Sequence, residues 1–220
     1  ESLGGQYLEI NLTDNYKLNP FHLANPKEEP SNQKLKSLLA IIESMVAEND
    51  KTKLAKLDRA LLERAIIELY RSRRAKGEIP TLSDLAKYLS VFEEDSMRAI
   101  GKMLYLWTGE RPYGRFLDGQ GGLRTDASIC TFDLKGLSSH PDLQSVMILI
   151  LTDFILSQVE GDKIHRKRII LDEAWELLKS EAAAGFMEYC ARTLRKTGSG
   201  ITFITQGIEE IVASPIGAAI

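Results

Sequence analysis

The sequence predicts an α/β fold in which a mostly parallel sheet is flanked by helices and interrupted by an all-helical lobe. Two observations carry this. Short strand-like runs at Ser128 to Phe132, Arg168 to Leu171 and Ile201 to Thr205 are separated by helical patterns. Such alternation requires crossover connections and therefore parallel strands covered by helices. Residues 31 to 108 instead repeat apolar residues only at helical spacing.

Taken in order, Gly4-Gly5 turns into a strand at Tyr7-Leu8-Glu9-Ile10, and an extended segment ends in Asn19-Pro20-Phe21. Residues 22 to 33 contain Pro26 and Pro30 and read as a linker. Leu35, Leu38, Leu39, Ile42, Met45 and Val46 define a first helix, and Leu54, Leu57, Leu61, Ala65 and Leu69 a second. Pro80-Thr81-Leu82-Ser83-Asp84 is a helix start leading to Leu85 and Leu89. Ile100, Met103, Leu104 and Trp107 define the fourth helix. Residues 109 to 126, punctuated by Gly109, Gly114, Gly119, Gly121 and Gly122, read as loop in which Phe116-Leu117 packs down. After the strand ending at Asp133, Leu143 to Val159 is helical. Trp175 to Lys196 is helical in turn, and Ile208 to Val212 gives a short last helix.

Composition bounds the function. The 220 residues are 44% hydrophobic and 27% charged with a net charge of −3, so nothing global argues for wrapping nucleic acid. Cys130 and Cys190 are far apart in apolar context, which favours a reduced, cytosolic protein over a disulfide scaffold. The greasiest stretch, Val146 to Leu156, contains Asp153. It is expected to be a buried core helix too short to span a bilayer.

The most informative run is Arg168-Ile169-Ile170-Leu171-Asp172-Glu173-Ala174-Trp175. A buried strand ending in adjacent carboxylates suits phosphoryl transfer, which needs positioning and charge neutralisation more than covalent chemistry. Asp172 would then sit near Mg²⁺, reaching it through water, and Glu173 near the water that attacks the γ-phosphate. The alternative is a solvated pair at the start of the following helix, where negative charge is favoured by ~0.3–1 kcal/mol. No G-x-x-x-x-G-K-[ST] phosphate loop occurs in the sequence. The chain is therefore expected to be one part of an ATPase, with the phosphate cradle before residue 1 and little turnover of its own.

Gln206 follows the Ile201 to Thr205 run, where ligands of open parallel sheets bind. An amide there can hold a phosphate oxygen and a water; a plain turn glutamine is the alternative. Arg192, Arg195 and Lys196 form one helical stripe opposite Met187, Cys190, Ala191 and Leu194. They read either as a solvated cationic face or as an arginine finger reaching a neighbouring subunit's nucleotide. Asp133 reads as a cap for the next turn rather than a site carboxylate. His22, His140 and His165 lack metal-ligand spacing, and no nucleophile elbow or dinucleotide fingerprint is present. Trp107 and Trp175 read as core or interface residues. Arg71, Arg73, Arg74 and Lys76 read as a solvated helix end. The nucleotide reading requires the strands to lie side by side, so that acid pair, glutamine and guanidinium converge on one pocket.

In serial order, Leu3-Gly4-Gly5-Gln6-Tyr7, Asn19-Pro20-Phe21, Thr131-Phe132-Asp133-Leu134, Ile169-Ile170-Leu171-Asp172-Glu173-Ala174-Trp175, Leu194-Arg195-Lys196-Thr197-Gly198 and Thr205-Gln206 cover nearly the whole chain. This series resembles the C-terminal ATPase domain of the type IV secretion and conjugal DNA-transfer ATPases, the TraC/VirB kind. The resemblance implies a RecA-like P-loop NTPase core, begun in residues 1–30 and resumed in 127–220, with an all-helical insertion and loop over 31–126. It implies Walker B roles for Asp172 and Glu173, a sensor role for Gln206 and a finger role for Arg195, with Arg192 as alternate. Where the family has a bulky aromatic before the glycines of the arginine motif, this sequence has Thr197. Further implications are ATP and Mg²⁺ as cofactors and a homo-oligomer, hexameric in the parent. Partners would be other secretion ATPases and inner-membrane complex subunits, with DNA kept open, at the cytoplasmic face of the bacterial inner membrane. A HerA- or FtsK-like DNA translocase and a non-catalytic docking module of the same fold are the competing readings.

Overall fold

The computed structural model describes residues 4–12, 17–47, 53–123, 125, 127–162, 164–172, 194, 198–205 and 209. The chain divides into two compact units, Glu1–Val146 and Met147–Ile220.

In the first unit, β1 (Gln6–Glu9) pairs in parallel with β2 (Cys130–Asp133), Gln6 opposite Cys130 and Glu9 opposite Asp133. Among the described residues, five α-helices lie in the chain between these two neighbouring strands: α1 (Asn32–Val46), α2 (Lys56–Arg74), α3 (Leu82–Leu89), α4 (Asp95–Met103) and the short α5 (Gly114–Leu117). The helical lobe is thus an insertion in a parallel crossover, which tolerates a long connection because the strand ends it joins are already apart.

Local sequence sets the helix ends. Ser31 caps α1, its hydroxyl accepting from Lys34 N at 3.1 Å. At α3 the expected start is a full capping box. Asp84 N donates to Thr81 Oγ1 at 3.2 Å, and Thr81 N donates to Asp84 Oδ2 at 3.1 Å. The second helix departs from expectation. It begins at Lys56, so Leu54 lies before it, and Leu57 in its first turn is 67% exposed. The buried stripe is Leu62, Ala65, Ile66, Leu69 and Tyr70. Residues 109–126 are also not all loop, because α5 forms there and buries Phe116 and Leu117 as anticipated. Gly114 allows this: a Cβ there would lie 2.4 Å from the Thr108 carbonyl carbon and 2.6 Å from Gly109 O.

The lobe core is built from Leu38, Ile41 and Ile42 of α1, Leu62 and Ile66 of α2, and Leu82, Leu85 and Leu89 of α3, with Met97 and Leu104. Trp107 is buried, as expected of a core residue, and donates from Nε1 to Met45 O at 3.1 Å. Asp118 accepts from Ser83 N at 3.0 Å, from the Ser83 hydroxyl and from Gly109 N at 2.6 Å, joining α3 to the glycine-rich turn.

The Asn19-Pro20-Phe21 segment is held by the lobe. Asn19, 3% exposed, donates from Nδ2 to Pro80 O at 2.8 Å and accepts from Phe21 N at 3.0 Å. Tyr70 donates its hydroxyl to Phe21 O at 2.6 Å. Asn19→Ala leaves both of its partners without Asn19, and the expected cost is ~1–3 kcal/mol. A thermal transition unchanged within a degree would contradict this.

The division between the units falls within α6 (Pro141–Gly161). This helix buries Leu143, Val146, Met147, Leu156 and Val159. It is longer than the apolar stretch suggested. At 21 residues, with mean hydropathy 1.4 in its best window, it meets the length and composition of a membrane span, a test that core helices also pass. The length expectation is therefore corrected.

In the second unit β3 (Arg168–Leu171) pairs in parallel with β4 (Gly200–Phe203), Arg168 opposite Gly200 and Leu171 opposite Phe203. Among the described residues the strands form two parallel pairs rather than one ladder of three. The β3 strand is also not buried on both faces: Ile169 is buried, whereas Ile170 is 59% exposed. Successive strand side chains point to opposite faces, and one of those faces is open at this position.

Candidate functional site

Ile169-Ile170-Leu171 and Ile201-Thr202-Phe203 are β-branched or aromatic runs suited to pleated pairing. Their register puts both carboxyl ends at one edge. Ile204 N donates to Leu171 O at 2.9 Å, extending the ladder one step past the strands. Asp172 follows Leu171 in an exposed turn, and Thr205 follows Ile204. The acid-bearing end of β3 and the end of β4 that leads toward Gln206 are therefore neighbours. Glu173, Gln206, Arg192, Arg195 and Lys196 lie outside the described residues.

The amino ends of the same strands carry a different construction. Leu194 is 1% exposed, and its carbonyl accepts from Ser199 N at 3.1 Å. Gly198 between them has φ +66°. Glycine adopts that φ without a Cβ penalty. Lys167 N donates to Ser199 Oγ at 3.1 Å, and Gly200 N donates to Lys167 O at 3.0 Å. The Lys167 ammonium donates to Asp162 O at 2.6 Å and to His165 O at 3.1 Å, and pairs with Asp162 Oδ2 at 3.2 Å. The His165 N–H, first, and the Lys167 ammonium hold the Asp162 carboxyl well below the usual carboxylate range. A tight turn thus fixes the start of β3, and a second turn is tied to it through Ser199.

These two ends are separated by the length of the strands, about 10–13 Å at ~3.3 Å per residue. The turn closing on Leu194 is at the opposite end of the β3–β4 pair from Asp172.

Asp133 behaves as a cap. Its Oδ1 accepts from Lys135 N at 2.9 Å and its Oδ2 from the Tyr7 hydroxyl at 2.5 Å. The Tyr7 hydroxyl, then the Lys135 N–H, hold its carboxyl below the ordinary value. Burial pushes the Cys130 thiol up, away from thiolate chemistry. No group of three or more His, Cys, Asp or Glu that could hold a metal ion occurs among the described residues. The basic stretch on α2 is largely paired: Arg73 with Glu78 at 2.8 Å and with Asp84, and Arg74 with Glu29 at 3.1 Å. A cavity of about 140 Å³ beside it is lined by Glu28, Glu29, Leu35, Tyr70, Arg71 and Arg74, with charges of both signs.

Sequence reasoning does not single out Lys167 or Ser199. Gly198-Ser199-Gly200 marks a helix end but gives no sign that the serine reaches back to β3.

The TraG P-loop domain family matches residues 1–219. The type IV secretion system protein virB4 of Bartonella henselae is 24% identical over 148 residues, covering 66% of this chain and 18% of that protein. Its counterpart in Bartonella quintana is 24% identical over 130 residues, covering 59% of this chain and 16% of its own length. The chain thus spans under a fifth of these curated relatives. Among solved structures, VirB4 of Thermoanaerobacter pseudethanolicus has the same fold at TM-score 0.76 and 19% identity, over 99% of this chain and 61% of that one. The plasmid coupling protein TrwB, in complex with the non-hydrolysable GTP analogue GDPNP, matches at TM-score 0.51 and 13% identity over 97% of this chain and 55% of its own.

Proposed function

Because this chain belongs to the TraG P-loop domain family, we propose that it is part of the ATPase motor of a bacterial type IV secretion or conjugation system. Its parent would hydrolyse ATP to drive assembly and transfer of DNA or protein. The family is one of nucleotide-binding P-loop proteins. These 220 residues contain no phosphate loop and are read as the acid-bearing part of the site. The observation that carries the reading is the Ile204 N to Leu171 O hydrogen bond at 2.9 Å. It brings the residues that lead into Glu173 and Gln206 to the carboxyl edge of one parallel pair, where ligands of such sheets bind.

In this reading Asp172 would help hold Mg²⁺. The fit is chemical: Mg²⁺ takes hard oxygen donors and is usually bound by one or two carboxylates together with waters and phosphate oxygens. An exposed aspartate at a strand end provides one such donor. When bound, the ion would neutralise charge on the transferring phosphoryl group. Glu173 accepts the proton of the attacking water, and Gln206 orients that water against the phosphate. Arg195, with Arg192 as alternate, completes the site of a neighbouring subunit. That assignment is supported by the position of Leu194 and Gly198 at the strand end remote from Asp172. An arginine serving a neighbour implies a head-to-tail ring, with other secretion ATPases and inner-membrane subunits as partners on the cytoplasmic side.

Asp172→Asn in the full-length protein tests the metal role. Turnover is expected to fall roughly tenfold or more, with a higher Mg²⁺ concentration needed for half-maximal rate. An unchanged Mg²⁺ dependence at normal turnover would remove Asp172 from the site.

A further inference from the structure

We propose that the helical lobe joins one copy of this chain to the next. The turn between α3 and α4 of one copy seats Val91 in the cavity beside α2 of its neighbour, with Glu93 and Glu94 against Arg71. The contact goes beyond the ATPase reading and does not depend on it.

The cavity, about 140 Å³, is ample for a branched aliphatic side chain. Its floor is apolar: Leu35 and Tyr70 are buried, and Ile67 is half-buried. Most of the charge around it is already committed. Glu29 pairs with Arg74 at 3.1 Å, and Glu28 accepts from Asn25 Nδ2 at 2.9 Å. Arg71 is exposed, and no carboxylate among the described residues is paired with it. The surface therefore offers an apolar hollow beside an unused cation, which suits an apolar side chain followed by acids.

The turn after α3 presents that complement. Val91 is 76% exposed, whereas Phe92 packs edge-on against Tyr88 at 5.4 Å. Glu93 and Glu94 follow, both exposed and neither paired with a cation among the described residues. The shape of the turn is set by its own bonds. Phe92 N donates to Leu89 O at 3.2 Å, and Arg98 Nη1 donates to Phe92 O and to Glu93 O, both at 2.7 Å. An apolar projection on such an ordered turn has little conformational entropy left to lose on binding.

The two surfaces lie apart on the lobe. Ile67, Tyr70, Arg71 and Arg74 form one stripe in the carboxyl half of α2. Ser96, just past the turn, donates from its hydroxyl to Asp58 Oδ1 at 2.7 Å. Asp58 is about 20 Å along the helix from Arg71, at ~1.5 Å per residue. The turn is thus held off its own cavity, and each copy keeps one surface of each kind for its neighbours. A contact between two different patches is heterologous, so it closes into a ring or continues as a filament. Charge sign selects this pairing, because turn against turn would oppose acids.

The test is self-association of the full-length protein without nucleotide, followed by sedimentation velocity over a concentration series. Arg71→Glu is expected to weaken association about tenfold or more, since it sets like charge against Glu93 and Glu94. The Glu93→Lys/Glu94→Lys pair does the same from the other side, and all three changes together restore association. Val91→Asp, at an exposed position that folding does not need, weakens it comparably. If each reversal weakens association but their combination does not restore it, the two surfaces do not meet and the proposal fails. Association unchanged by either reversal, or a parent protein that stays monomeric throughout, overturns it as well. None of these results touches the roles given to Asp172 and Glu173, which are read by turnover.

Discussion

Glu173→Gln in the full-length protein is expected to lower ATP turnover by about 10²–10⁴-fold, the usual contribution of a positioned general base. The amide matches the carboxylate in shape and still accepts a hydrogen bond, but it cannot take a proton from the attacking water. Nucleotide binding and subunit assembly should persist, because neither depends on that proton transfer. The measurement is steady-state hydrolysis alongside nucleotide affinity and a sizing experiment. The substitution also separates the competing readings. A docking module of the same fold would support transport unchanged when it carries Glu173→Gln, whereas a motor would assemble and stall. The prediction draws on Glu173 following Asp172, which sits in the turn at the carboxyl end of β3 next to the end of β4.

The second large effect concerns stability. Phe21→Ala is expected to cost ~3–5 kcal/mol, the range for deleting a buried aromatic ring and leaving a cavity. Phe21 is 0% exposed and its ring lies 6.0 Å from that of Tyr70, tilted by 54°. The Tyr70 hydroxyl is tied to Phe21 O at 2.6 Å, so the tyrosine cannot swing into the vacated space without giving up that bond. Denaturant unfolding followed by fluorescence of the buried Trp107, 3% exposed, should show an earlier midpoint. A midpoint unchanged from the parent sequence would mean that the Asn19-Pro20-Phe21 segment is not part of the cooperative lobe. Asn19→Ala acts on the same segment and should not add independently, since Phe21 N bonds Asn19 Oδ1 at 3.0 Å.

Much of the local structure was legible from residue order. The capping box at Thr81 and Asp84 depends on a spacing of three and on side chains that bond their own backbone. The strand Arg168–Leu171 was visible because β-branched residues meet a carboxylate pair. Asp133 as a cap followed from a short acid before a turn, and Lys135 N at 2.9 Å bears it out. The stripe of α2 was misplaced at its start, because Leu54 and Leu57 fit the period but precede or open the helix and never reach the core. Periodicity reports which residues share a face; it does not report which face meets a partner.

By itself, the sequence determined the α/β character, the helical lobe and the identity of the acidic run, since these depend on local periods, caps and nearest neighbours. Only the tertiary structure decided that β1 joins β2 across the whole lobe, that β3 joins β4 in a register placing Asp172 beside Ile204, and that Ser199 locks to Lys167 at the far end. Those pairings join residues 32 or more positions apart. Backbone N–H and C=O groups are the same at every position, so which of them meet is fixed by packing rather than by side-chain spelling.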